Sequence, residues 1–417
     1  MSISILSQPE THTPAYNDQY FVLSSTNSGQ TNFKYICTVT VDGQSAISFP
    51  IDKHPTDSKG LFNPQQLAQA GVNTTLDTVI DALKPASNSI KSVYCQFAEQ
   101  YGSTPVTQPV TASGIYYVWD AAYDAVDFPA FTFAAAGYAN TLNKGVYVGG
   151  DTGSSISNKV LRGQHYWMYW HRAFGAVVFD RIQFVCYDSA LSVIQTSTIL
   201  NSYSAVGSTY ERNLMYADVS AVGTALVLAT TPGSCTRTNG ALPMIPATTY
   251  LYSVTWIDSG SVQASDPYVV VIDSFCSRYT QYALHWKNQY GAMDTAVFNL
   301  LSRKNTSKSE AMYQKNPYTL NSSNNYTYKN SDAIEQSFST ELTNRITLNT
   351  DIVTDDYYAY LKDLVSSPYI LLEDSSGNLF SMKSIDSNYE KRLRVNDGPF
   401  NFKIELEYQF KDLRQRG

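Results

Sequence analysis

At 417 residues the chain is too long for one hydrophobic core of ordinary size, so two or three domains are expected. Apolar residues make up 43% and charged residues 16%, which excludes a disordered polypeptide and leaves little charge to cover a solitary monomer. The formal charge of −7, with both signs interspersed, excludes a basic footprint for wrapping nucleic acid.

The first segments read as strands. Tyr20-Phe-Val-Leu-Ser is followed by Phe33-Lys-Tyr-Ile-Cys-Thr-Val-Thr-Val, the turn Asp42-Gly43 and Ala46-Ile-Ser-Phe-Pro-Ile. Together these three predict an antiparallel meander. Two short helices are expected next, one opened by Asn63 and Pro64, the other by Asn73-Thr74 with Leu76, Val79, Ile80 and Leu83 at helical spacing. Ile90 to Phe97 and Ile115 to Trp119 return to strand composition, so residues 1–140 are expected to form a β-sandwich domain with a short helical crossover.

A Gly/Ser-rich loop around Gly149-Gly-Asp-Thr-Gly-Ser-Ser precedes a second run of β-type segments: Trp167-Met-Tyr-Trp, Val177-Val-Phe, Ile182-Gln-Phe-Val-Cys-Tyr, Ala225-Leu-Val-Leu, Tyr250 to Ile257 and Tyr268 to Ile272. These predict a second sandwich over residues 141–303. From Asn305 to Ser331 the chain turns polar, which suits a surface arm, a long hairpin or a linker, and residues 304–417 are expected to form an α+β domain carrying a polar arm at 304–331. Thr354 is a good helix cap, Asp355 and Asp356 complement the dipole, and Tyr358, Leu361, Leu364 and Val365 form one apolar stripe that Pro368 ends. Tyr369-Ile-Leu-Leu, the turn Ser375-Ser-Gly-Asn and Phe402-Lys-Ile-Glu-Leu-Glu-Tyr-Gln-Phe follow. Strict alternation in that last strand predicts one buried face, with Lys403, Glu405 and Glu407 outward. The overall expectation is a mainly β, multi-domain protein of two or three antiparallel sandwich-like domains with a few short helices. No fixed-period repeat is visible.

Chemistry leaves few traces. The five cysteines, Cys37, Cys95, Cys186, Cys235 and Cys276, stand singly, which favours small buried side chains over disulfides or a zinc site. Of the five histidines only His165 and His171 are close, six residues apart on one face of an extended strand, and the flanking Trp167, Tyr169 and Trp170 fit a packed sheet better than a metal site. Trp167 and Trp170, three apart, point to opposite faces and make a poor platform for stacking on sugars. Asp151-Thr152-Gly153 matches the aspartic-protease tripeptide once, inside an ordinary loop, and no nucleophile elbow or phosphate loop is present. Helix capping and solvent-facing alternation explain the paired carboxylates Asp355-Asp356 and Glu405/Glu407 better than glycosidase chemistry. Lys391-Arg-Leu-Arg-Val reads as a solvated hairpin shoulder rather than a contact for DNA. The glycosylation-like Asn73, Asn305, Asn321 and Asn325 carry no meaning without a secretory route. The start lacks the pattern of a secretory leader, and nowhere do about 18 apolar residues run together, so no membrane partner is expected and assembly is expected in a cytoplasm. Catalytic residues, cofactor-binding residues, metal ligands and cofactors are all expected to be none, and the protein is expected not to be an enzyme.

The 32 tyrosines against 18 phenylalanines suit strands and interfaces where one edge of a ring is buried and the other meets water. Three stretches add a family likeness: Ser7-Gln-Pro-Glu-Thr-His-Thr-Pro-Ala-Tyr-Asn-Asp with Phe21-Val-Leu-Ser-Ser-Thr-Asn and Asn32-Phe-Lys-Tyr; Tyr282-Ala-Leu-His-Trp-Lys-Asn-Gln-Tyr-Gly-Ala-Met-Asp-Thr; and Ser387-Asn-Tyr-Glu-Lys-Arg-Leu-Arg-Val-Asn-Asp-Gly-Pro-Phe-Asn-Phe-Lys-Ile-Glu-Leu-Glu-Tyr. In this order they resemble virion structural proteins of tailed bacteriophages of Bacteroidetes hosts, including crAss-like phages. The resemblance implies a tail-ring subunit stacked below the portal, contributing to the conduit for DNA or cargo, with many copies, a dodecamer being common, in contact with other tail or portal proteins. DNA would at most pass through the lumen, and the protein would reside in the virion tail after assembly in the host cytoplasm. The resemblance implies no catalytic residues. Within the same stretches Gly291 is expected to end a strand at a tight turn whose backbone Asp294 holds, and Asn396-Asp-Gly-Pro to reverse the chain. The alternatives are a receptor- or glycan-binding module at the outer tail and, further off, a cell-wall hydrolase.

Overall fold

The computed structural model of the protein describes residues 2–74, 76–77, 83–124, 139–147, 156–172, 179–203, 214–273, 278–316, 319–327, 334–353, 355–385, 400–410 and 412–413. Most of the helix expected from Asn73 to Leu83, the Gly149–Ser155 loop, the strand at Val177, Cys276, the cap Thr354, the basic cluster at Lys391 and the turn at Asn396 lie outside them. Of the described residues 51% are strand and 9% helix, which makes the protein mainly β. No helix among them is long and apolar enough to cross a membrane. The chain forms two compact units, Met1–Ser274 with Lys287–Thr295, and Phe275–Trp286 with Ala296–Gly417.

The first unit begins with a sandwich. Strand Lys34–Val41 alternates half-buried and buried residues, so Tyr35, Cys37, Val39 and Val41 face inward while Thr38 and Thr40 face out. It lies between Ile47–Asp52 and Ile90–Tyr101 in a sheet continued by Ala112–Trp119 and by the parallel strand His12–Pro14. A three-stranded sheet of Ile3–Ser7, Phe21–Ser25 and Gly60–Phe62 covers the inward face. The expected meander is therefore corrected: Lys34–Val41 and Ile47–Asp52 pair around Gly43, whose φ is 78°, but Phe21–Ser25 belongs to the opposite sheet. Alternation tells which residues of a strand are inward and not which sheet it joins. Here Phe21 crosses the core to meet Phe97 at 5.1 Å and Tyr116 at 5.8 Å. Helix Gln65–Gly71 starts where expected, with Asn63 Oδ1 accepting the Gln65 N–H at 3.1 Å.

A second sandwich in the same unit sets strands Trp167–Arg172 and Leu214–Asp218, flanked by Ala139–Thr141 and Lys84–Pro85, against a larger sheet. That sheet runs Val146–Tyr147, Ile156–Leu161, Tyr268–Asp273, Leu251–Asp258, Phe179–Tyr187, Val193–Leu200, Cys235–Arg237. Met168 and Trp170 pack on Ile182, Phe184, Val254 and Val270, and the Trp170 and Trp256 rings meet edge to face at 5.5 Å. The segment around Ala225, expected as a strand, is instead helix Ala221–Thr230. An apolar run of this length fits a buried helix as well as a buried strand. The choice falls to Ser220, whose side chain accepts the Gly223 N–H at 3.0 Å, and to the alanines and leucines that follow.

The second unit is built on a sheet ordered Met293–Phe298, Tyr282–Lys287, Ile370–Glu373, Leu379–Ser384, Phe400–Tyr408, Glu335–Val353, Arg303–Gln314. Phe402, Ile404 and Leu406 are buried while Lys403, Glu405 and Glu407 face away, as their alternation predicts. The expected single helix is two short ones, Asp355–Tyr360 and Lys362–Ser366, with Tyr360, Leu361 and Leu364 buried. The polar stretch from Asn305 takes the hairpin form: Arg303–Gln314 pairs with Glu335–Val353 from Arg303↔Thr347 to Gln314↔Glu335.

Candidate functional site

His165 and His171 find separate company. His165 precedes the strand; its Nδ1 lies 2.5 Å from Asp218 Oδ2 and its ring stacks on Trp167 at 5.3 Å. The same carboxylate accepts the backbone N–H groups of Tyr166 and Ser220. His171 lies 5.2 Å from the His12 ring and 4.7 Å from Trp119, where the two sandwiches of the first unit meet. Burial pushes His12 down to about 4, and burial together with neighbouring His12 pushes His171 well below its ordinary value. Both rings are neutral at pH 7.

Next to them, Trp119 Nε1 donates to the Tyr290 carbonyl at 3.1 Å, and Lys287 Nζ pairs with Asp120, which also accepts from Thr74. Gly291, at φ 89°, ends the turn that follows, and a side chain there would meet the Asp120 carbonyl at 2.7 Å. The side chain that holds this turn is Asn288, and this corrects the expectation for Asp294: Asn288 Oδ1 accepts the N–H groups of Tyr290 and Ala292. Asp294 instead accepts from Lys144 N at 3.0 Å and Asn288 Nδ2 at 2.9 Å, and Asn143 Nδ2 donates to the Trp167 and Met293 carbonyls. These amides and carboxylates are consumed in bracing three distant chain segments, a use that no local spacing in the sequence announces.

In the second unit, His285 Nε2 and Glu373 Oε2 are 2.9 Å apart with both side chains fully buried. Among the described residues no three His, Cys, Asp or Glu side chains gather as metal ligands. Cys37, Cys95, Cys186 and Cys235 are free thiols. Burial raises all four, Cys186 to about 11 and Cys95 to about 12, so little thiolate forms at pH 7.

All five tryptophans are buried, which removes Trp167 and Trp170 from any surface platform. The exposed apolar chemistry of the second unit lies on the hairpin instead. Eleven of the twelve residues of Arg303–Gln314 are exposed. Strand Glu335–Val353 is paired with Phe400–Tyr408 over 345–353 and with Asp412–Leu413 at 341–342, so beyond Glu341 the two hairpin strands pair only with each other among the described residues. Met312, Tyr313, Ile334 and Phe338 project from this arm, and Leu320 and Tyr326 from the small hairpin Thr319–Leu320/Tyr326–Thr327 between its strands. At the root of the arm lies a groove of about 580 Å³ lined by Tyr282, Lys304, Arg345, Phe380, Tyr408 and Phe410 among others. Phe380 and Tyr408 meet edge to face at 5.7 Å, Lys304 Nζ sits 5.8 Å over the Tyr282 ring, and Phe410 is 75% exposed.

Compared with known proteins, the chain matches no family model and no curated sequence.

Proposed function

We propose that the protein is a structural component of a bacteriophage tail, a ring subunit that works by packing against copies of itself and against neighbouring tail or portal proteins. The observation that carries this reading is the bare two-stranded arm. An isolated β-ribbon is marginally stable in water and large exposed apolar side chains are costly to keep there, so such an arm is useful when another protein covers it. The low charge, the abundance of tyrosine and the three stretches that resemble virion proteins support the same conclusion. His165, His285 and the buried carboxylates Asp120, Asp218, Asp294 and Glu373 serve as braces, so the reading assigns them no catalysis and no cofactor.

Negative-stain imaging of the purified protein, alone and mixed with its neighbouring tail proteins, tests this. Closed rings of identical subunits are expected. A monomer that persists at high concentration and joins none of those proteins overturns the reading.

A further inference from the structure

Resting on the ring reading, we propose that the arm of one copy seats its apolar end in the aromatic groove of a second copy. Arm and groove belong to the same unit, and the arm cannot fill its own groove. Thr306 lines the groove while Tyr313 lies seven residues further along a strand paired on both sides of a single bulge, roughly 23 Å away at the usual rise per residue. Folding back would break that pairing.

The groove's position supports this occupant. Tyr408, Met382, Phe380, Leu372, Leu284 and Tyr282 share one face of the sheet through the registers Met382↔Tyr408, Leu372↔Phe380 and Leu284↔Leu372. Leu284, Leu372 and Met382 are core residues, so the groove extends an apolar face beyond its buried part. It is a place for side chains that want burial. Met312, Tyr313, Leu320, Tyr326, Ile334 and Phe338 are 46–75% exposed. In all they present roughly 700 Å² at the areas usual for such residues, divided between the two faces of the ribbon because adjacent strand residues such as Met312 and Tyr313 point oppositely, so one groove takes a part of it.

The arm's free edge argues against simple strand addition. Arg303–Gln314 ends the sheet, carries Lys304 and Lys308, and is bulged between Ala311 and Met312, features that blunt an edge against a further strand. Association therefore runs through side chains. Made in one direction, a contact between two different surfaces is heterologous and propagates from copy to copy, which closes a ring when the rotation allows it, whereas reciprocal exchange would stop at a two-fold dimer.

Mixing two single variants tests the contact. Tyr313→Cys in one full-length copy and Phe410→Cys in another are expected to give a covalent dimer on mild oxidation, while each variant alone gives no more than the wild type. Met312→Ser, Tyr313→Ser and Phe338→Ser together should weaken self-association at least tenfold in sedimentation while the circular dichroism spectrum stays unchanged. If wild type and triple variant assemble equally and the mixture yields no dimer, the arm-in-groove contact is overturned while the ring reading stands. If the wild type never assembles, alone or with its neighbouring tail proteins, both fail.

Discussion

In the first unit Asp120, Asn143, Asn288 and Asp294 are at most 3% exposed, and they spend their polar atoms on one another, on Lys287 and on backbone groups from distant segments. In the second, Met312, Tyr313 and Phe338 are large side chains about half exposed, on a ribbon that pairs with no further strand among the described residues. Each region inverts the usual distribution, and the two inversions have different remedies. Buried polar groups are tolerated when every one finds a partner within the chain. Exposed apolar groups find theirs in another molecule. On the proposed reading the first region governs stability and the second governs association.

The largest expected effect lies in the first unit. Asp120→Ala strands the Lys287 ammonium, whose side chain is 11% exposed, and should cost about 3–5 kcal/mol by denaturant unfolding. Asp120→Asn with Lys287→Met should recover much of it, and an equal loss in both variants would show that charge is not the cause. Acid should come next. The pKa of His12 is held at about 4 against the ordinary 6.5, so the unfolded chain takes the proton first. Stability contributed by the neutral ring is complete above pH 6.5 and should fall by about 3 kcal/mol as pH drops to 4. His12→Asn should flatten that slope, and hydrogen exchange in Ala112–Trp119, which pairs with the His12 strand, locates it.

Gly291→Ala combines a positive φ with a clash against the Asp120 carbonyl and should cost about 2 kcal/mol or more, read as a lower unfolding temperature. The smallest effect on stability belongs to the arm: Phe338→Ser should stay within about 0.5 kcal/mol of the wild type, because its side chain loses little burial. A large loss there would show that the arm is supported within its own chain and would erase the contrast between the two regions.

Local pattern made much of the fold legible. Alternation in Phe402–Tyr408 named the inward residues, Lys34–Val41 was readable as a strand, and Asn63-Pro64 marked a helix start that the structure keeps. Legibility stopped where pattern was shared by two outcomes, as in Ala221–Thr230, and where the outcome depended on a remote surface, as in the sheet that Phe21–Ser25 joins. The arm was visible as a polar stretch, but its apolar side chains became a surface only once the strands paired. The groove was not legible at all, because Tyr282, Arg345, Phe380 and Phe410 come from four separate segments.

By itself the sequence determined the β-rich class, the facing of individual strands and the polar character of the arm, because these depend on neighbours two to four positions away. Tertiary structure alone decided that Asn288 rather than Asp294 holds the turn, that His165 and His171 part company, and that an aromatic groove opens beside a bare ribbon. Asn288 itself reaches only Tyr290 and Ala292, but the Lys144 N–H that engages Asp294, like the contacts behind the other two outcomes, comes from scores of positions away, and its energy exists only after the chain has closed the loop between them.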